Sequence, residues 1–233
     1  MDELIGVPVV GAPVVAGAAF LVLLVVLFAF SWADLLIAVV HEGGHMVMAV
    51  LTFRGFTWFR IFGPGSAETE LVKDHWGPGD FILTLAGYLS PPILGLGGAA
   101  VLAEGNAWGV LVVAAILMFW AFLYAREGLA NVVTLAAFGA ILVLLWRGST
   151  FLQLTVAVLI VWLLLIGGVV DAVKMGRSGG ADAAWMARRT WIPAIVWQAF
   201  WVTVALVCLY VGGRLLFTGT AWPAGVWPFD VRA

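Results

Sequence analysis

Seven apolar runs, each long enough to cross a bilayer and separated by short breaks, leave this chain few ways to fold. A helix needs about 20 mostly apolar residues to span the hydrocarbon core. The runs are 11–31, 33–52, 79–103, 107–125, 128–146, 151–173 and 191–217. Lipid offers no partner to a backbone N–H or C=O, so such runs fold as helices that satisfy themselves. Composition points the same way. Hydrophobic residues make up 64% and charged residues 10%, against about 45–50% and about 25% in soluble chains. A water-soluble fold could not hide that surface. We therefore expect an all-α integral membrane protein, a polytopic bundle of about six to seven transmembrane helices. No internal repeat or low-complexity linker divides it, so residues 1–233 read as a single domain.

Trp residues stand near the ends of many runs (Trp32, Trp58, Trp76, Trp108, Trp146, Trp191, Trp222, Trp227). Amphipathic rings favour the headgroup level. Two polar connections are longer than the others. In 53–78, Phe56-Thr57-Trp58-Phe59-Arg60-Ile61-Phe62 has strand-like residues, Gly63-Pro64-Gly65 a turn, and Glu68 to Val72 a possible returning strand. This predicts a short β-hairpin at the membrane surface. The connection 174–190 carries Lys174, Arg177, Arg188 and Arg189. With seven spans, Arg54, Arg60, Lys73 and Arg126 fall on the same side as these four, and Arg147 and Arg232 on the other. Basic loops stay inside, so the N-terminus is expected to be cytosolic. The start, Met1-Asp2-Glu3-Leu4, lacks the basic region of a cleaved signal, so the first run is expected to persist as a helix. Net charge is −2, which gives no bulk attraction to nucleic acid. The lone Cys208 lies in an apolar run and has no internal disulfide partner.

The second run is interrupted by His41-Glu42-Gly43-Gly44-His45. On a helix, residues i and i+4 share a face, so both imidazoles can reach one metal. Neutral imidazole is a good zinc ligand, and the Glu beside it can act as general base toward a water molecule. The apolar stretches Leu35–Val40 and Met46–Leu51 flank the motif. An ionisable group at membrane depth costs about 2.5–3.5 kcal/mol, so three on one turn need a compensating role. Gly43 and Gly44 suit close approach, either of a neighbouring helix or of an extended substrate.

Two His and a water leave a tetrahedral catalytic zinc one ligand short. Asp171, the acidic residue inside run 151–173, is the expected third ligand, with Asp182 and Asp80 as alternatives. His41 and His45 precede their helix end at Thr52 by 7–11 residues, whereas Asp171 stands near its own run's end. At about 1.5 Å per residue the depths differ by several ångström. That gap closes if one helix is tilted or the second ends earlier. His75 reads as a surface histidine. Asn131 and Arg126 open run 128–146, where Asn131 suits a structural hydrogen bond or a contact to substrate backbone.

HExxH inside a transmembrane run resembles the site-2 protease family of intramembrane zinc metalloproteases, in its compact bacterial, peptidase M50B-like branch. The matching residues are His41, Glu42 and His45. Ala86-Gly87-Tyr88-Leu89, the Gly-x-x-x-Asp element at 167–171, Gly180-Ala181-Asp182-Ala183 and the Ile192-Pro193…Trp197 run also resemble that branch. The larger family's Asn-x-x-Pro-x-x-Pro-x-Asp-Gly element is absent. The resemblance implies Zn2+, Glu42 as catalytic base, His41, His45 and Asp171 as metal ligands, and hydrolysis of a membrane-anchored protein substrate. It also implies an integral protein of a bacterial inner membrane. Substrate-binding residues are not identified. Segment 53–78 is expected to pair with substrate as a strand, because a helix hides its carbonyls from attack. The alternative is a catalytically inactive protease homologue, or a metal-binding or transport membrane protein. A carrier would line a path with polar residues through many helices, whereas here they gather at one depth.

Overall fold

In a computed structural model, residues 12–63, 66–71, 77–126, 128–178 and 181–218 are described. They form α1 (Ala12–Phe28), α2 (Phe30–Leu51), β1 (Phe56–Gly63), β2 (Ser66–Leu71), α3 (Pro78–Ala103), α4 (Ala107–Tyr124), α5 (Gly128–Arg147), α6 (Thr150–Ser178), α7 (Ala181–Thr190) and α8 (Ala194–Thr218). Six of the helices, α2 to α6 and α8, are long and apolar enough to cross a membrane, and α1 is a shorter apolar helix of 17 residues. The apolar runs therefore became helices with ends shifted by a few residues. The break between the first two is the single residue Ala29, so α1 and α2 are nearly continuous in sequence.

Helix α2, which carries the motif, packs against α3, and α3 also lies against α6 and α8. Small residues make that approach close. A Cβ at Gly95 would stand 2.9 Å from Leu165 Cγ, and one at Gly212 would stand 2.8 Å from Leu165 Cδ1. Leu165 of α6 thus fills the gap between α3 and α8. Gly167 and Gly168 bring α6 against α2 and α3, where a Cβ would meet Ile37 and Pro92. Helix α1 is pinned to α6 by Trp162 Nε1, which donates to Val15 O at 3.1 Å. Trp32, Trp108, Trp146 and Trp191 are all exposed, as rings at a membrane interface would be. Cys208 is buried in α8.

The hairpin is antiparallel, with Trp58↔Glu70, Phe59↔Thr69, Arg60↔Glu68 and Ile61↔Ala67 as partners. Alternation puts Phe59, Ile61, Ala67 and Thr69 on one face, and Phe59 and Ile61 are buried. On its other edge β1 bridges Ala125, and Arg126 N–H donates to Phe59 O at 2.8 Å.

Two features differ from the sequence expectations. Helix α6 ends later than run 151–173, at Ser178, so Asp171 stands seven residues inside its end and His45 six residues inside the end of α2. The depth gap closes by extension rather than by an earlier end. The polar connection 174–190 is also not a loop, because its second half is α7. Asp182 lies in the first turn of α7 and Arg188 and Arg189 in the last, which suits the helix dipole at both ends. Ala183 and Met186 give it a buried face.

Candidate metal centre

One turn of α2 sets the imidazoles of His41 and His45 edge to face, with centroids 4.9 Å apart. Their Nε2 atoms are 3.2 Å apart. Asp182 Oδ2 lies 3.2 Å from the first and 3.3 Å from the second. The three atoms form a nearly equilateral triangle. Donors about 2.0–2.2 Å from one tetrahedral zinc lie roughly 3.3 Å from each other, and two His with one carboxylate leave a fourth position open. The residues present fit that ion.

The other ring nitrogens are also held. His45 Nδ1 donates to Leu83 O at 2.9 Å. A carbonyl only accepts, so this ring carries a proton on Nδ1, and in the neutral ring the Nε2 lone pair is left for the triangle. His41 Nδ1 faces Asp171 Oδ2 at 3.7 Å. Among the described residues His41, His45 and Asp182 are the group whose donor atoms converge.

Sequence reasoning put Asp171 ahead of Asp182 as the third ligand; in the structure the carboxylate beside both Nε2 atoms is that of Asp182. Asp171 stands on the Nδ1 side of His41 and Asp182 on the Nε2 side of both rings. The cause is α7, which packs on α8 and α3 and brings the Asp182 carboxylate to the two histidines of α2. The signals for that helix were present in Asp182, Ala183, Met186 and the closing arginines, but ten residues carry a weak period. Asp80 is elsewhere, ion-paired with Arg54 at 3.0 Å where α2 meets α3. His75 lies outside the described residues. Among the described residues, Asn131 Oδ1 is buried without a hydrogen-bond partner.

Burial pushes the Asp182 carboxyl upward, but His45 and His41 beside it, when protonated, outweigh burial and hold it below the usual carboxylate range.

Helix α3 supplies the floor. A Cβ at Gly87 would lie 2.5 Å from His45 Nε2 and 2.6 Å from His41 Nε2, so no larger residue leaves room for an ion there. Next to it, Tyr88 packs edge-on against His41 at 4.4 Å and against Trp201 at 5.2 Å. Pro91 and Pro92 follow within α3 and cannot donate to the carbonyls of Gly87 and Tyr88, as a regular helix would.

Glu42 is buried one residue on from His41. Its Oε2 accepts a hydrogen bond from Thr69 Oγ1 of β2 at 2.5 Å. Thr69 was not singled out from sequence, because nothing local ties residue 69 to residue 42. The two motif glycines have separate uses. A Cβ at Gly44 would collide with Ser90 and Ala86 O of α3, whereas one at Gly43 would meet nothing within 4 Å. Gly43 borders an apolar cavity of about 350 Å³ lined by residues such as Val40, Val47, Leu89, Ile93 and Met118. Helical geometry turns Gly43, Val40 and Val47 away from the His face, so this cavity lies behind the site rather than in it.

The family model described as Peptidase M50B-like matches residues 14–212. No curated protein and no solved structure matches the chain.

Proposed function

The chain belongs to the Peptidase M50B-like family, and from that membership we propose that it is a zinc-dependent endopeptidase that hydrolyses membrane-anchored proteins within or near the bilayer. One observation carries this reading. His41 Nε2, His45 Nε2 and Asp182 Oδ2 converge at 3.2–3.3 Å beside a buried glutamate in a membrane helix. In this reading His41, His45 and Asp182 hold the ion. Asp171 orients His41 through Nδ1, as the outer carboxylates of zinc sites do.

Zinc bound by these residues would supply a Lewis acid and bring the pKa of a water molecule toward about 7. Glu42 takes a proton from the attacking water and returns it to the leaving amine. Gly87 keeps the ligand nitrogens uncovered. Substrate must present an unwound segment, because helical carbonyls are already bonded. The hairpin offers a strand with which such a segment can pair. The same reading sets the hairpin, α7 and the N-terminus on the cytosolic side of a bacterial inner membrane, following the basic residues Arg54, Arg60, Arg126, Lys174, Arg188 and Arg189.

The test joins metal content with cleavage. Detergent-purified wild type and Glu42→Ala are expected to hold about one zinc per chain, and only wild type to cleave membrane-anchored test polypeptides. A wild type free of metal in zinc-replete medium would sink the reading. Metal retained by both without any cleavage would favour an inactive homologue or a metal-binding protein.

A further inference from the structure

The hairpin reaches the motif through one polar side chain. On its buried face Phe59, Ile61 and Ala67 are apolar, and Thr69 alone carries a hydroxyl. That hydroxyl donates to Glu42 Oε2. A carboxylate that must receive a proton works only if its orientation is held, and a hydroxyl donor fixes one oxygen while leaving the other to act.

The backbone of Thr69 has a second role, which follows from the register. In an antiparallel strand the N–H and C=O of one residue point to the same side. Phe59 C=O points away from β2, because it accepts Arg126 N–H on the far edge of β1. The pair Phe59↔Thr69 is therefore one of the non-hydrogen-bonded pairs. It follows that Thr69 N–H and C=O point outward from β2. Among the described residues the sheet has two strands, and no strand pairs with that edge.

We propose that Thr69 is the positioning residue that sets the base against the peptide bond: its hydroxyl holds the Glu42 carboxylate, and its own N–H and C=O bind the backbone of an extended substrate. One residue then fixes both partners of the reaction. A substrate strand paired there lies one side chain's reach from Glu42. The inference deepens the peptidase reading and rests on it.

The test uses the full-length zinc-loaded protein in lipid nanodiscs, with synthetic polypeptides of one apolar span as probes. Thr69→Val keeps the shape and removes the hydroxyl. It is expected to lower kcat at least about tenfold, a part of the roughly 10²–10⁴-fold that a general base contributes in full, with KM and zinc content nearly unchanged. Thr69→Ser restores the donor and is expected to stay close to wild type. Single N-methyl groups scanned along the probe are expected to block cleavage at alternate positions, the period of a paired strand. Thermal midpoints for Thr69→Val, Glu42→Leu and the double variant are expected to be non-additive, since both single changes remove one contact. The proposal is overturned if Thr69→Val turns over like wild type, if Thr69→Ser is as impaired as Thr69→Val, if N-methylation is tolerated throughout, or if the midpoints add. In each of those cases cleavage by wild type and its loss in Glu42→Gln leave the peptidase reading standing. Were wild type to cleave no probe, or Glu42→Gln to cleave equally, that reading would fall and the role of Thr69 with it.

Discussion

Asp171 and Asp182 face opposite nitrogens of His41, and so their removal should have unequal consequences. Asp182→Ala deletes a corner of the triangle and should leave the purified protein without stoichiometric zinc. Asp171→Ala removes the carboxylate 3.7 Å from Nδ1 that is proposed to orient the ring. It should weaken zinc binding by about 10–100-fold while the site still fills at high zinc. Zinc titration of the two variants checks both, and equal loss in the two would reverse the assignment of roles. At this scale the local part was legible. His41, Glu42 and His45 are close in sequence, and helical spacing alone puts the two imidazoles on one face. Choosing between two aspartates 130–141 residues from His41 was not legible, because nothing in a linear spacing says which ring nitrogen a distant carboxylate approaches.

The short helix α7 is held in place chiefly by α8, with α3 beside it. Ala183 and Met186 pack with Ala172 and Trp201, all buried. Trp201 Nε1 donates to Leu85 O at 3.1 Å, and Trp197 Nε1 to Thr190 Oγ1 at 3.1 Å. Gln198 Nε2 reaches the carbonyls of Ala172 and Val173 on α6. Trp201→Ala removes a fully buried ring, a change that typically costs about 3–5 kcal/mol. We expect it to lower zinc retention although residue 201 touches no ligand, and Phe81→Ala, at the edge of the same cluster, to do so less. Retention equal to wild type in Trp201→Ala would show that α7 needs no support from α8. The hairpin was legible as an element, since aromatic and branched residues, a Gly-Pro-Gly turn and polar returning residues are local signals. The contact it makes through Thr69 was not, because β2 meets α2 only in three dimensions.

At the scale of the whole molecule the distribution of basic residues carries a prediction about sidedness. In a Cys208→Ser background, Arg188→Cys on α7 should react with a membrane-impermeant thiol reagent from the cytosolic side, and Arg147→Cys at the end of α5 from the opposite side. The reverse pattern would invert the proposed orientation and move the face that carries the proposed site outward. What the sequence determined by itself is the part set by solvent and by neighbours along the chain. Apolar length dictated the membrane helices, turn and strand residues dictated the hairpin, and one turn of α2 dictated the two histidines and their glutamate. What the tertiary structure alone decided is how far α6 runs, that α7 returns over α2, which aspartate completes the triangle, and that Thr69 meets Glu42. The reason is physical. Inside lipid, helices are held together by packing of small residues and by single polar contacts rather than by hydrophobic burial. Those contacts depend on the matching of distant surfaces, and no periodicity along the chain encodes them.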